Sequence, residues 1–329
     1  MRFWAALLAG KLVAFLCRFF RHPGTSLPGA VALKICPQLL NILAPAYEQV
    51  VAVTGTNGKT TTANLITHML QLSGLAATNN HEGANMISGV AAALIKDCTL
   101  YGKARSQVAI LEVDEGSVGK VFPAVKPDLV VVTNYFRDQL DRYCELDHNI
   151  TLLRRVLAEL PKTSLLLNAD DPLVVTAGRD QSAVSYYGVE GKQSKDKTVE
   201  CDIREGNLCP DCGSSLSYHY YHYGQLGDYY CSGCAFQRPV PDFLAYDLKD
   251  DDFLEFTLDV CQSKDSSEGG SAANTVRLRA TLRGFYNIYN ILAASAAAIT
   301  LGVSQQVIAA SLKEHIPATG RMERFFYNG

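Results

Sequence analysis

The segment from Val50 to Gly74 limits the folds open to this chain more than any other. Val50-Val51-Ala52-Val53 has the continuous apolar, β-branched character of a buried strand, and Thr60–Ser73 carries a helical pattern that Gly74 ends. Between them lies Thr54-Gly55-Thr56-Asn57-Gly58-Lys59-Thr60. Gly55 and Gly58 let the backbone turn its amides toward phosphate oxygens, and the positive end of the following helix adds to that attraction. Lys59 is placed to bridge terminal phosphates, and the Thr60 hydroxyl to hold magnesium. The first glycine of the general G-x-x-x-x-G-K-[ST] pattern would fall at Val53, so the loop departs from that pattern. Strand, Gly-Lys-Thr and helix in register point to a nucleoside triphosphate.

A strand–loop–helix unit of this kind predicts an α/β fold with a mostly parallel sheet, and the chain downstream alternates accordingly. Gln107–Val113 reads as a strand whose end, Leu111-Glu112-Val113, passes into Asp114-Glu115. Carboxylates at the C-terminal end of a strand face the crevice where open α/β sheets bind ligands. Glu112 is therefore the first candidate for magnesium, directly or through water; the other reading is that the acidic run is solvated surface. Asp128–Asn134 is a second buried strand, followed by Tyr135-Phe136-Arg137-Asp138-Gln139-Leu140-Asp141-Arg142-Tyr143. Ser164–Leu167 is a third, leading into Asn168-Ala169-Asp170-Asp171-Pro172, where Asp170 or Asp171 either caps the next helix or serves as a ligand.

Cys209-Pro210-Asp211-Cys212 and Cys231-Ser232-Gly233-Cys234 are separated by eighteen residues. Two C-x2-C knuckles predict a structural zinc site held by Cys209, Cys212, Cys231 and Cys234, with no coordination position left for catalysis. Cys201 is not read as a ligand, and His219 and His222 read as surface residues among tyrosines. No Lys or Arg occurs from Gly213 to Tyr230, which favours a folding or docking role over phosphate contact. The net charge of −3 likewise argues against nucleic acid as a partner. Ten cysteines in 329 residues are too few for a disulfide scaffold, so a reducing cytoplasm is the expected compartment. The length suits two or three modules.

The first 47 residues stand apart. No acidic residue precedes Glu48, whereas Arg2, Lys11, Arg18, Arg21 and Lys34 are basic. Lys11 interrupts the apolar run after Phe3–Gly10, leaving segments short of the roughly 20 residues that cross a bilayer. A signal peptide fits poorly, because no small-residue cleavage site follows a continuous apolar core. Two readings remain: a helix packed on the main domain, or an interfacial helix touching anionic lipid at the cytoplasmic face of the membrane.

The last third predicts a hairpin, Phe253–Val260 with Val276–Leu282 across Gln262–Ala273. Gly284-Phe285-Tyr286-Asn287-Ile288-Tyr289-Asn290 then runs into an alanine-rich helix, Ile291–Thr300. Asn287 and Asn290 either present their amides together to an adenine edge or satisfy the helix start. Gly320-Arg321-Met322-Glu323 stands near the end.

In combination and order, Thr54–Thr61, Glu112, Thr133-Asn134, Asn168–Pro172, Gly284-x-x-Asn287-x-x-Asn290 and Gly320-Arg321-x-Glu323 resemble the Mur ligase central domain. The resemblance covers nearly the whole chain. Within the family, the four-cysteine insert, Phe136–Tyr143, Gly24–Gly29 and Glu82-Gly83-Ala84-Asn85 are most similar to a branch that amidates the α-carboxyl of D-glutamate in the lipid II stem peptide, in peptidoglycan synthesis. Ammonia there comes from glutamine through a separate glutaminase subunit. The resemblance implies an N-terminal helical segment at 1–47, the ATP-binding central domain at 48–200 and 241–329, and an inserted zinc ribbon at 201–240. It also implies ATP at Thr56, Asn57, Gly58, Lys59, Thr60, Thr61, Asn287, Asn290 and Arg321, and magnesium at Thr60 and Glu112. Three departures accompany it. Amino-acid-adding Mur ligases carry a histidine magnesium ligand where this chain has Gln139. They carry a carbamylated lysine where it reads Leu152-Leu153-Arg154-Arg155, so Arg154 or Arg155 is the expected substitute charge. The family's C-terminal domain, with its acidic catalytic residue, begins about where the chain ends, so that residue is expected beyond Gly329. Two other classes stay open: an amino-acid-adding ligase or other P-loop enzyme, and an ATP-binding scaffold without catalysis of its own.

Overall fold

The computed structural model describes residues 1–22, 24–80, 84–136, 143–191, 208–261 and 274–314. Its centre is a nine-stranded sheet. In sequence the strands are β1 (Gln49–Thr54), β2 (Ala77–Asn79), β3 (Val108–Glu112), β4 (Leu129–Val132), β5 (Ser164–Asn168) and β6 (Val184–Val189). β7 (Leu216–Tyr223) and β8 (Leu226–Cys231) form a separate two-stranded ribbon. β9 (Phe243–Asp250), β10 (Leu254–Val260) and β11 (Thr275–Ala280) return to the main sheet. The order across it is β11-β10-β9-β6-β5-β4-β1-β3-β2. The pairings from β2 to β9 are parallel, and β10 and β11 add an antiparallel edge.

The strands read as unbroken apolar runs because both faces are covered. Alternate residues of β1 divide between two cores. Val51 and Val53 meet α4 (Lys59–Leu72), α9 (Tyr286–Thr300) and α10 (Gln305–Glu314) on one side. Val50 and Ala52 meet a second layer made of α1 (Arg2–Phe19), α2 (Leu27–Ile35), α3 (Leu39–Leu43), α5 (Ile87–Asp97), α6 (Val118–Val125), α7 (Tyr143–Ala158) and α8 (Pro172–Ala177). Crossovers of this length are what parallel strands require.

The expected strand–loop–helix is present as β1, a loop and α4, and the expected hairpin as β10 and β11. Two features were not foreseen. β9 pairs with both β6 and β10, so the ribbon of β7 and β8 leaves the sheet and the chain comes back beside the strand it left. The alanine-rich helix begins at Tyr286 and not at Ile291, because Asn287 N already bonds Gly284 O (2.8 Å).

The N-terminal segment packs on the sheet's second layer. Ala6, Leu7 and Cys17 of α1 are buried, and Lys11 Nζ donates to the carbonyls of Ile95 (2.8 Å) and Cys98 at the end of α5. A cation there meets the negative end of the helix dipole. α2 lies close on α5: a Cβ at Gly29 would collide with the Ser88 carbonyl and come within 2.7 Å of Ala92 N. Gly29→Ala must therefore push the two helices apart, at an expected cost of about 1–3 kcal/mol. Urea unfolding should show a lower midpoint with an unchanged slope.

Candidate nucleotide site and four-cysteine hairpin

The phosphate loop lies between β1 and α4 at the C-terminal edge of the sheet. Gly55 and Gly58 adopt φ of +120° and +84°, conformations that side chains disfavour. Neither has room for one: a Cβ at Gly55 would collide with Thr133 Oγ1, and one at Gly58 with Asn290 Oδ1. The residues after β4 brace the loop. Thr56 N donates to Asn134 O (2.8 Å), Asn57 N to Asn134 Oδ1 (3.0 Å), and Thr133 Oγ1 and Asn134 Nδ2 to Asn57 O (2.8 and 3.1 Å). Phe136 N donates to Thr56 Oγ1 (3.1 Å). Thr60 and Thr61 open the first turn of α4.

Lys59 is buried and turns back over the loop. Its Nζ donates to the carbonyls of Gly55 and Thr56 (2.9 Å to the latter) and pairs with Glu115 Oε2 at 3.3 Å. Glu115 is thus not the solvated residue that its place in an acidic run allows. Asp114 accepts from Gly116 N (3.2 Å) in the turn between β3 and α6. Glu112 ends β3 beside Val53 of β1 and is 3% exposed. Asn80 fixes its backbone, donating to Glu112 O and accepting from Glu112 N (both 2.7 Å). Among the described residues its carboxylate has one hydrogen-bond partner, Asn85 Nδ2 at 3.4 Å. A buried carboxylate so thinly satisfied, one strand from the phosphate loop, suits a cation.

Asn287 and Asn290 are buried in the first turn of α9 and face the loop through the Gly58 contact. Asn290 Nδ2 donates to Asn287 Oδ1 (2.9 Å), and Asn287 Nδ2 donates to Arg283 O (2.6 Å). Among the described residues neither side-chain amide caps an N–H of the helix start; Asn290 meets the loop at Gly58, and Asn287 is joined to it through Asn290.

Asp170 and Asp171 are fully buried and structural. Asp171 caps α8 by accepting from Leu173 N (3.0 Å), and it also accepts from Tyr135 N (2.8 Å). Burial pushes its carboxyl up to about 6, against the pull of these amides. Asp170 accepts from Arg238 Nε and the Tyr289 hydroxyl (both 2.6 Å) and from Val189 N (2.9 Å).

The ribbon of β7 and β8 joins this site from an unexpected direction. At its tip Gln225 is 1% exposed, and its Nε2 donates to Tyr135 O (2.6 Å) and Asp171 Oδ2 (3.3 Å). Tyr223 stacks on Phe136 (5.7 Å between centroids) and meets Phe285 edge-on. His222, read from sequence as a surface residue, is half-buried. Its ring lies 5.0 Å from that of Phe285, and burial lowers its pKa. His219 is exposed, as expected. No local pattern marks Gln225; only the tight turn Tyr223-Gly224-Gln225 sets it apart.

At the other end of the ribbon the four cysteine sulfurs all lie within 4.8 Å of one another. Cys209 and Cys234 Sγ are 3.5 Å apart, and Cys212 and Cys231 Sγ 3.4 Å. A tetrahedron of thiolates about 2.3 Å from zinc has edges of about 3.8 Å, so the set fits. Asp211 N and Gly233 N donate to Cys209 and Cys231 Sγ (3.4 and 3.3 Å). Arg179 fastens the knuckles to the body by pairing with Asp211 and lying over Phe236.

Arg154 does not supply the expected substitute charge: it pairs with Asp180 (2.9 Å) at the surface. Arg155 is exposed near the end of α7. Cys201, Gln139, Arg321 and the Gly320–Glu323 motif lie outside the described residues.

A family model for the Mur ligase middle domain matches residues 53–219. Over 99% of its length the chain is 34% identical to the subunit MurT of lipid II isoglutaminyl synthase (glutamine-hydrolyzing) from Staphylococcus aureus (strain COL), covering 69% of that protein. The corresponding subunit from Streptococcus pneumoniae (strain ATCC BAA-255 / R6) is 34% identical over 97% of the chain and 67% of its own length. Among solved structures, a pseudomurein peptide ligase type C from Methanothermus fervidus aligns with TM-score 0.66 and 30% identity over 85% of this chain and 52% of that one. MurF from Acinetobacter baumannii, at 17% identity, TM-score 0.60 and coverage of 90% and 52%, shares the fold.

Two substitutions separate the loop from its support. Lys59→Ala should weaken Mg-ATP binding on the order of 10-fold or more in calorimetry. Gln225→Ala leaves a buried carbonyl and carboxylate short of a donor, at about 1–3 kcal/mol. It should lower the melting temperature and weaken Mg-ATP binding while the metal content of the cysteine site is unchanged.

Proposed function

Since the chain belongs to the Mur ligase family and is homologous to the MurT subunits, we propose that it is the ATP-dependent part of a glutamine-hydrolysing amide ligase in peptidoglycan synthesis. The observation that carries this reading is the phosphate loop set against buried Glu112, in a chain whose similarity to MurT extends through the four-cysteine ribbon. The chain spans about two thirds of those relatives and about half of the solved ligases, so substrate and partner are part of the proposal.

The substrate is the α-carboxylate of D-glutamate in the lipid II stem peptide. The γ-phosphoryl of ATP passes to that carboxylate: the bond to ADP breaks as an acyl phosphate forms. Ammonia, released from glutamine by a GatD-like glutaminase, attacks the acyl carbon, loses a proton and expels inorganic phosphate, leaving D-isoglutamine. Thr56 and Asn57 shape the loop through their bonds to Asn134, and the amides from Gly58 to Thr61 cradle the phosphates. Lys59 moves from Glu115 to the terminal phosphates, where charge spreads as the phosphoryl group leaves. Asn287, Asn290 and Arg321 serve the rest of the nucleotide. Thr60 and Glu112 would hold magnesium, which screens the phosphate oxygens. With Gln139 and Leu152-Leu153-Arg154-Arg155 where adding ligases carry a histidine and a carbamylated lysine, we assign no second metal site of the usual type.

We assign Cys209, Cys212, Cys231 and Cys234 to structural zinc. Zinc organises the ribbon whose tip braces Tyr135 and Phe136, and it takes no part in the reaction. Metal analysis should find about one zinc per chain, and Cys231→Ser should lose it together with thermal stability. A zinc content unchanged by that substitution would remove the assignment.

The reaction is tested by combining the full-length protein encoded by the reading frame, the glutaminase, glutamine, Mg-ATP and lipid II. Mass spectrometry should show conversion of one carboxyl to a carboxamide, dependent on all five. ATP consumption with an amino acid joined in place of ammonia would overturn the reading in favour of an adding ligase, and ATP binding without turnover would favour a scaffold.

A further inference from the structure

The N-terminal helix α1 has one face in the core and an opposite face that nothing in the described structure covers. Ala6 and Leu7 are buried against α2 and α5, Cys17 is buried beside Gly24, and Lys11 is tied to the carbonyl end of α5. On the other side Trp4, Leu8, Leu12, Phe15 and Phe19 recur at helical spacing and, with Phe20, are between 47% and 73% exposed. Phe15, Phe19 and Phe20 contact one another, with centroid separations of 6.5 and 5.3 Å, so the end of the stripe is an aromatic cluster. Eighteen residues make the stripe about 27 Å long. A contiguous apolar surface of this extent marks a binding face.

Charge identifies the occupant. No Asp or Glu occurs before Glu48, and Arg2, Arg18, Arg21 and Lys34 are all exposed, so the segment that carries the stripe is positively charged. At 3.6 residues per turn Arg18 falls beside the apolar stripe, where its guanidinium lies level with headgroups once the apolar residues are immersed. The inner face is held by packing and by Lys11, so the helix cannot turn end-on. No single helix among the described residues is long and apolar enough to cross a membrane. We propose that α1 is an interfacial helix that lays its outer face on a bilayer bearing anionic headgroups. The inference stands on the residues of α1 and not on the reaction proposed above.

Trp4 is the only tryptophan of the chain and sits in the stripe, so its fluorescence reads this face alone. The purified chain is mixed with vesicles of phosphatidylcholine, with and without phosphatidylglycerol, lacking lipid II, nucleotide and glutamine. With phosphatidylglycerol present the chain should co-sediment and Trp4 emission should shift to the blue. Binding should be about tenfold or more weaker on neutral vesicles or at high salt. The triple variant Leu12→Gln, Phe15→Gln, Phe19→Gln alters only the outer face. It should lose vesicle binding about tenfold or more while its helix content and Mg-ATP affinity are kept. Absence of co-sedimentation, or co-sedimentation with unshifted Trp4 emission, would overturn the proposal. A blue shift that rises with protein concentration and needs no vesicles would also overturn it, and would make the stripe an interface between copies. Because no amidation reagents are present, failure here is distinct from failure of the proposed reaction.

Discussion

Between Gly55 and Lys59 the backbone is pressed so close to its neighbours that no side chain fits on either glycine. Thr133 and Asn134 occupy the space on one side, and Asn290 on the other. The loop can keep this shape only if β4 ends beside β1 and α9 begins over the loop. The sheet order and the return of the chain through β9 to α9 bring this about. The bracing spends the Thr56 and Asn57 amides on Asn134, and the amides from Gly58 to Thr61 are the ones left to meet phosphate oxygens.

The electrostatics follow from the same geometry. A buried lysine needs acceptors, and Lys59 finds two loop carbonyls and Glu115. A triphosphate offers it a stronger partner, but Glu115 must then find water or a cation. Glu112, more deeply buried on the same edge, is placed where a cation would offset both carboxylates. With one lysine against two carboxylates the unit carries an excess negative charge, so a triphosphate would enter more easily with a metal than alone.

The parts legible in the sequence were those whose chemistry is local. Strand, glycines, Lys59 and helix lie within one stretch of chain, and the cysteine pairs are each four residues long. Glu112 was legible as a carboxylate at the end of a buried strand, because Gln107–Val113 reads as a strand that runs into an acidic stretch. Pairings that depend on distant segments were not legible. Glu115 sits in an acidic run that reads as solvated until Lys59 is seen folding back to it. His222 looks like a surface residue because its neighbours in sequence are polar or aromatic, yet in space it meets Phe285. β9 was missed because its pattern makes sense only between β6 and β10.

The four-cysteine ribbon shows why such a module survives inside a nucleotide-binding domain. Its cysteine end and its tip have different tasks. The four sulfurs converge where the hydrophobic cluster around Tyr229 and Phe236 is small, and a metal there would tie the two knuckles together. From there β7 and β8 carry Gln225 into the main domain, where its amide meets the Tyr135 carbonyl and Tyr223 stacks on Phe136. Phe136 in turn bonds Thr56 of the phosphate loop through its backbone. A two-stranded ribbon is marginal alone, so a loop wall that rests on its tip needs the far end fastened. The Arg179–Asp211 pair supplies part of that fastening, and a metal held by the cysteine tetrad would supply the rest.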